Sequence, residues 1–328
     1  MYCAQQCLRM LTFAVLGWVV PAAAAAQATP KAGGADEAGR WEELRKVFGQ
    51  QGEADDNTFR VNFPRRDLTV RLGPHVLAPA FELTSYVAFA PTDPGHVLAM
   101  GEVVCRENEV PAVLEEARRQ GISVPALHNH LITESPRIMY VHLMSTGEPV
   151  TLAHGFRAVV SRTAVPLNDQ EEQKGDPGAW IAVNTVLGQP EEVGKTTAEY
   201  VFPRRERITE HGFRVPSTGA LETASEVVFQ RLNDGQTATG GELFVAPDEI
   251  MSVMQALSEG GIHVTAIHNH MVDETPRMYW LHWYAVGEPT ELAQAIAGAI
   301  ARTHSEQRSG RRAANPPPRR PSAGSPKG

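Results

Sequence analysis

The chain repeats itself, and that constrains its fold more than any other feature. Residues 101–130, GEVVCRENEVPAVLEEARRQGISVPALHNH, align without a gap on residues 241–270, GELFVAPDEIMSVMQALSEGGIHVTAIHNH. Upstream, NFPRRDLT at 62–69 matches VFPRRERIT at 201–209, and the segments that follow Trp41 and Trp180 match as well. The offset is 139 residues up to the FPRR segment and 140 beyond it, so one residue was gained or lost between them. Repeats of about 120 residues are long enough to hold a core each, which implies two tandem domains. The first spans 41–163 and the second 180–303, with the polar, Pro- and Gly-containing stretch 164–179 as linker.

Patterning within each copy predicts the same elements. Residues 82–90 and 97–104, with 222–229 and 237–245, have the composition of strands. Helical spacing runs from Glu109 to Gln120, with Val110, Val113, Leu114 and Ala117 on one side and Gly121 as the stop. Strands follow at 121–130 and 137–145, then a helix at 148–162, matched by 288–302. The order β-β-α-β-β-α predicts an α+β class: in each domain, a mostly antiparallel sheet packed with helices.

The ends carry different information. Residues 1–28 have one Arg, an apolar run from Leu11 to Val20 and then small residues, which is the pattern of a secretory signal. Its removal would take Cys3 and Cys7 and leave Cys105, whose counterpart is Val245, so a small buried hydrophobe is expected there. No cysteine follows the apolar run, so no stable membrane anchor is expected after cleavage, and the expected location is periplasmic or secreted. Residues 305–328 are basic and Pro-rich, the composition of a disordered tail. The net charge is −8; the signal carries +1 and the tail +5, so the body carries about −14. An acidic body disfavours nucleic acid and leaves metal cations or a small neutral ligand open. Oligomeric state is not legible.

The chemistry lies in two stretches, ALHNHLITESPRIMYVH at 126–142 and AIHNHMVDETPRMYWLH at 266–282. Side chains two apart on a strand share a face, so His128 and His130 point the same way. A hairpin centred near Ser135 and Pro136 would lay His142 opposite one of them, with Glu134 at the turn. The second copy supplies His268, His270, His282 and Glu274. Three imidazoles and a carboxylate suit zinc first, and also Fe, Mn, Cu or Ni. Glu102 and Glu242, each after a Gly on a predicted strand, are candidate further ligands or general bases, as are Glu134 and Glu274. Arg137 and Arg277 are candidates for binding an anionic group, or partners for Glu134 and Glu274. The sequence HxHxxxE is also that of a cupin's first motif, although helices at 109–120 and 148–162 fit a small barrel poorly.

The block G-I-x-V-x-A-[LI]-H-N-H, followed by E-[ST]-P-R and a later His, resembles the LppY/LpqO family of exported bacterial proteins, over residues 41–303. That family's namesakes are lipoproteins, and this chain lacks the lipidation cysteine. The resemblance implies no reaction or substrate. Three readings follow from the residues: a metal-dependent hydrolase, a non-catalytic metal or small-ligand binder, and a duplicated scaffold with hydrogen-bonded histidines.

Overall fold

The computed structural model describes residues 39, 41–54, 57–92, 94–168 and 174–306. The signal at 1–28 and all but two residues of the tail lie outside them. Among the described residues no helix is long and apolar enough to cross a membrane.

In the first repeat the strands are β1 (Glu53–Ala54), β2 (Phe59–Pro64), β3 (Arg71–Leu72), β4 (His75–Val76), β5 (Thr84–Pro91), β6 (Val97–Arg106), β7 (Ser123–His128) and β8 (Ile138–Gly147). Its helices are α1 (Glu42–Phe48), α2 (Val110–Arg119) and α3 (Pro149–Val160). The second repeat has β9 (Glu192–Val193), β10 (Thr197–Pro203), β11 (Ile208–Glu210), β12 (Phe213–Val215), β13 (Ala224–Arg231), β14 (Thr237–Val245), β15 (His263–His268) and β16 (Tyr279–Gly287). Its helices are α4 (Ile181–Leu187), α5 (Ile250–Glu259) and α6 (Pro289–Ile300). The large sheets run β1-β2-β5-β6-β8-β7 and β15-β16-β14-β13-β10-β9, all antiparallel. Both are open, so the α+β class holds and the cupin barrel does not.

Local chemistry sets the helix ends. Glu148 accepts from the backbone N–H of Val150 and Thr151, and Glu288 from that of Glu291, each just before a Pro that needs no N–H partner. Gly121, at φ 67°, follows α2 and turns the chain into β7 in a conformation that a side chain would oppose.

Two faces of each sheet are buried, against different things. In the first repeat Phe59, Val87, Phe89, Val103 and Leu143 pack under α1, α2 and α3 with Phe48, Val113 and Phe156. The alternate residues meet the other repeat. Tyr86, Ala88, Leu98 and Met100 pack with Leu221, Phe244 and Trp280, while Phe81, Val104 and Tyr140 pack with Val228 and Ala238. The result is four layers, helices-sheet-sheet-helices, with both sheets inside. Sheets buried on both faces explain why β6 and β14 are buried almost residue for residue rather than at alternate positions.

The first arginine of each FPRR segment is interior, and the second, Arg66 or Arg205, is exposed. Arg65 is fully buried and donates to Asp67, Glu109 and the carbonyl of Val104; Arg204 does the same with Glu206, Glu249 and Phe244. Cys105 is buried, and burial pushes its thiol up to about 12.

Candidate metal centre

Each repeat builds its half of the centre from one row across its sheet. In the first, Tyr86, Glu102, His142 and Ala126 stand opposite one another on β5, β6, β8 and β7. In the second the row is Glu226, Glu242, His282 and Ala266. The expected pairing of His142 with His128 or His130 is corrected. His142 faces Ala126 and His128 faces Tyr140, because the turn is centred on Glu134 rather than on Ser135 and Pro136. His130 lies two residues past the end of β7, not on the strand, and it is buried.

The rows face each other across a pseudo-twofold axis. His128 stacks on His268 with ring centroids 3.4 Å apart, His130 on His282 at 3.7 Å, and His142 on His270 at 3.6 Å. Tyr140 stacks on the outer side of His130 at 3.5 Å, and Trp280 on that of His270 at 4.0 Å. The edges of the two sheets are tied together beside the rings: Thr265 donates to the carbonyl of His130, and Asn269 to that of Pro125.

The nitrogens divide by role. All six Nε2 atoms are buried without a hydrogen-bond partner. The Nδ1 side faces outward: that of His128 meets the carbonyl of Asn129 at 3.2 Å, that of His268 the carbonyl of Asn269 at 3.3 Å, and that of His130 Glu82 Oε2 at 2.5 Å. Glu82 Oε2 also lies 3.4 Å from Nδ1 of His282, and Glu222 Oε2 lies 4.0 Å from Nδ1 of His270. Inside, Glu102 Oε2 sits 3.3 and 3.1 Å from Nε2 of His130 and His142, out of line for a hydrogen bond. Glu242 Oε2 is 3.6 and 3.8 Å from Nε2 of His270 and His282. Donor atoms within 4.8 Å of one another form four overlapping sets here, among them Glu102-His128-His130-His142 and Glu242-His270-His282. Nδ1 is held by a carbonyl or carboxylate in His128, His130 and His268 and is buried without a hydrogen bond in His270 and His282; the three held rings, with Nε2 turned inward, have the arrangement of metal-ligating histidines.

Burial works against charge throughout. It holds His128, His268 and His270 far below the ordinary imidazole range, neighbouring rings adding to the effect, and takes His282 down to about 4. His142 is also lowered by burial. For His130 burial is outweighed by Glu102 and Glu82, which push it up to about 9. Glu82 is held at about 2: burial opposes this, and His130 and His282 prevail. Glu222 is pushed up to about 8 by burial and by Glu102, and Glu242 is raised by burial and by Glu222 and Glu226.

The structure thus brings together His128, His130, His142, His268, His270, His282, Glu102 and Glu242. Glu134 and Glu274 belong to none of the donor sets. Both are buried at the turn, where they accept from the backbone N–H of Ile138 and Met278. Arg277 donates to Glu274, and Arg137 is exposed 3.7 Å from Glu107, so neither guanidinium is aimed at the rings. Glu82 and Glu222 were missed. Both sit at positive φ, 62° and 51°, immediately before β5 and β13. Their recurrence 140 residues apart was the one available signal. A separate trio, Glu206, Glu249 and His304, also gathers donor atoms, but Arg204 already occupies its two carboxylates.

No curated protein matches the chain. Among solved structures, the double ringed trimeric shell protein MSM0271 from the RMM microcompartment is similar over 65% of this chain and 84% of that chain, at 13% identity and a TM-score of 0.17, a likeness too slight to bear on fold or function. A family model described as Domain of Unknown Function (DUF1259) matches twice, at residues 42–162 and 181–302. The chain belongs to that family and carries its domain in duplicate.

Proposed function

We propose that this chain is an exported, periplasmic or secreted protein of the LppY/LpqO type that binds divalent transition metal at a centre built jointly by its two repeats. The observation that carries the reading is the set of six buried Nε2 atoms, none hydrogen-bonded, converging with Glu102 and Glu242. Leaving so many buried polar atoms unpaired costs about 1–3 kcal/mol each, and a cation satisfies them together. Imidazole with carboxylate suits zinc, the ion the sequence favours, and also copper and nickel. The scaffold reading needs those nitrogens hydrogen-bonded, which they are not. The hydrolase reading needs a base apart from the ligands; Glu134 and Glu274 are tied to the turn backbone and Glu102 stands among the donors, so no reaction is assigned.

The test is the metal content of the full chain, purified from the exported fraction without a His tag, beside a His128→Ala/His268→Ala variant. Near-stoichiometric metal that the variant loses supports the reading. Native protein free of metal that also takes up no added Zn, Cu or Ni sinks it.

A further inference from the structure

The six rings form two layers, one per repeat. Within the first repeat, His128 lies 5.1 Å from His130 and 4.9 Å from His142, with ring planes 17° and 9° apart. Within the second, His268 lies 5.0 Å from His270 and 4.9 Å from His282, at 20° and 10°. Between repeats the stacked pairs are 3.4 to 3.7 Å apart. The cross distances, 6.3 Å for His128 to His270, 6.2 Å for His128 to His282, 6.0 Å for His130 to His268 and 5.7 Å for His142 to His268, are the diagonals of rectangles with those sides. Each repeat therefore lays its rings side by side, and one layer lies flat on the other.

An imidazole lone pair lies in the plane of its ring, so each ring binds an ion best within its own layer. An ion midway between the layers would sit against ring faces, off every lone pair. Building on the metal reading above, we infer that the centre holds two ions, one in the layer of the Glu102-His128-His130-His142 donor set and one in the layer of the Glu242-His270-His282 set, where His268 lies alongside but gathers with first-repeat rings instead. Their separation follows the layer spacing of 3.4 to 3.7 Å, close to the roughly 3.5–4 Å of two-metal sites.

Four buried carboxylates, Glu82, Glu102, Glu222 and Glu242, lie beside the rings, between 2.5 Å (Glu82 to His130) and 4.0 Å (Glu222 to His270) from a ring nitrogen. A nearby cation, Arg60, faces Glu222 from outside at 3.5 Å and stacks over Tyr86, with Glu226 beside it. Imidazoles lying near one plane, with a carboxylate beside them, also suit Cu(II), which makes it a suitable probe.

The experiment loads the full chain with Cu(II), washes it with a weak chelator to clear surface histidines, and counts ions by native mass spectrometry alongside electron paramagnetic resonance. Two Cu(II) per chain are expected, with a magnetically coupled spectrum and a half-field transition. His128→Ala/His142→Ala and His268→Ala/His282→Ala, each checked for folding by circular dichroism, should retain one ion with an isolated four-line signal. If these variants fail to fold, the count and coupling in the unaltered chain decide. One ion per chain at saturation, or two uncoupled ions, overturns the two-layer centre while leaving metal binding intact. No retained Cu(II) overturns the two-layer centre, and no uptake of Zn or Ni besides overturns metal binding as well.

Discussion

Glu82→Gln isolates the outer support of the centre. The substitution keeps the shape of the side chain and removes its charge. Glu82 reaches one ring from each repeat, 2.5 Å from Nδ1 of His130 and 3.4 Å from Nδ1 of His282. A carboxylate on the far nitrogen of a ligating ring fixes its orientation and raises its basicity, and losing such a partner typically weakens metal affinity 10- to 100-fold. That range is about 1.4–2.8 kcal/mol. Because both layers lose a partner, both ions should bind more weakly, toward the upper part of the range. The fold should persist, since Tyr140 donates to the backbone carbonyl of Glu82 and not to its carboxylate. The assay is competition against a chromophoric chelator, with thermal unfolding of the metal-free protein as control. Affinities within twofold of the unaltered chain at matched stability would refute the reasoning and leave Glu82 a structural residue.

Three further outcomes are expected. Glu134→Ala should lower stability by about 1–3 kcal/mol, by stripping the charged acceptor from the buried N–H of Ile138, yet leave the number of bound ions unchanged; loss of an ion would make Glu134 a ligand after all. Arg65→Met should cost about 1–3 kcal/mol, because buried Glu109 loses its buried guanidinium and keeps only the more exposed one of Arg106. Glu109 is held below the ordinary carboxylate value: burial opposes this, and the Arg65 hydrogen bond prevails. A depressed value stabilises above the unfolded pKa of about 4.3 and loses that as pH falls through the folded one. The gap in melting temperature between Arg65→Met and the unaltered chain should therefore shrink as pH falls below about 4, and a constant gap would contradict the pairing. Gly241→Ala should destabilise strongly, since its φ is +127° and a Cβ would meet the carbonyl oxygen of Glu226 at 2.2 Å; an unchanged melting point would show that β13 and β14 can separate there.

Much of this architecture was legible because a repeat displays its own constraints twice. The histidines announced themselves by spacing, and the α+β order by periodicity around Val113, Ala117 and Gly121. Glu82 and Glu222 hid in what resembles the first residue of a strand. Their backbone is left-handed, and only that twist turns the carboxylates onto rings that lie about fifty residues on. The hairpin register was also out of reach, since a one-residue displacement of the turn centre moves His142 from His128 to Ala126. Nothing local foretold that His128 would lie on His268, because that contact depends on two sheets packing face to face. The same packing explains Tyr140 and Trp280, which alternate with histidines on β8 and β16. They are core residues and ring supports at once: the Tyr140 hydroxyl and the Trp280 N–H donate to the carbonyls of Glu82 and Glu222.

The pseudo-twofold axis itself argues for a cation. Across such an axis each residue meets its own counterpart, and identical charges or identical imidazoles cannot complement each other. One end of the polar stripe between the sheets has resolved this by divergence. Where the second repeat has Glu199 and Glu226, the first has Arg60 and Tyr86, and Arg60 now lies near Glu199, Glu222 and Glu226 while covering Tyr86. The copies have become unlike there, and they satisfy each other. At the other end His128 meets His268, and the Glu102 row meets the Glu242 row, with the copies still alike. Like residues in a buried stripe need a third party whose charge is opposite to the carboxylates and whose orbitals accept imidazole. Divalent transition metal meets both demands, and a hydrogen-bonded scaffold would have been free to diverge as Arg60 and Glu199 did.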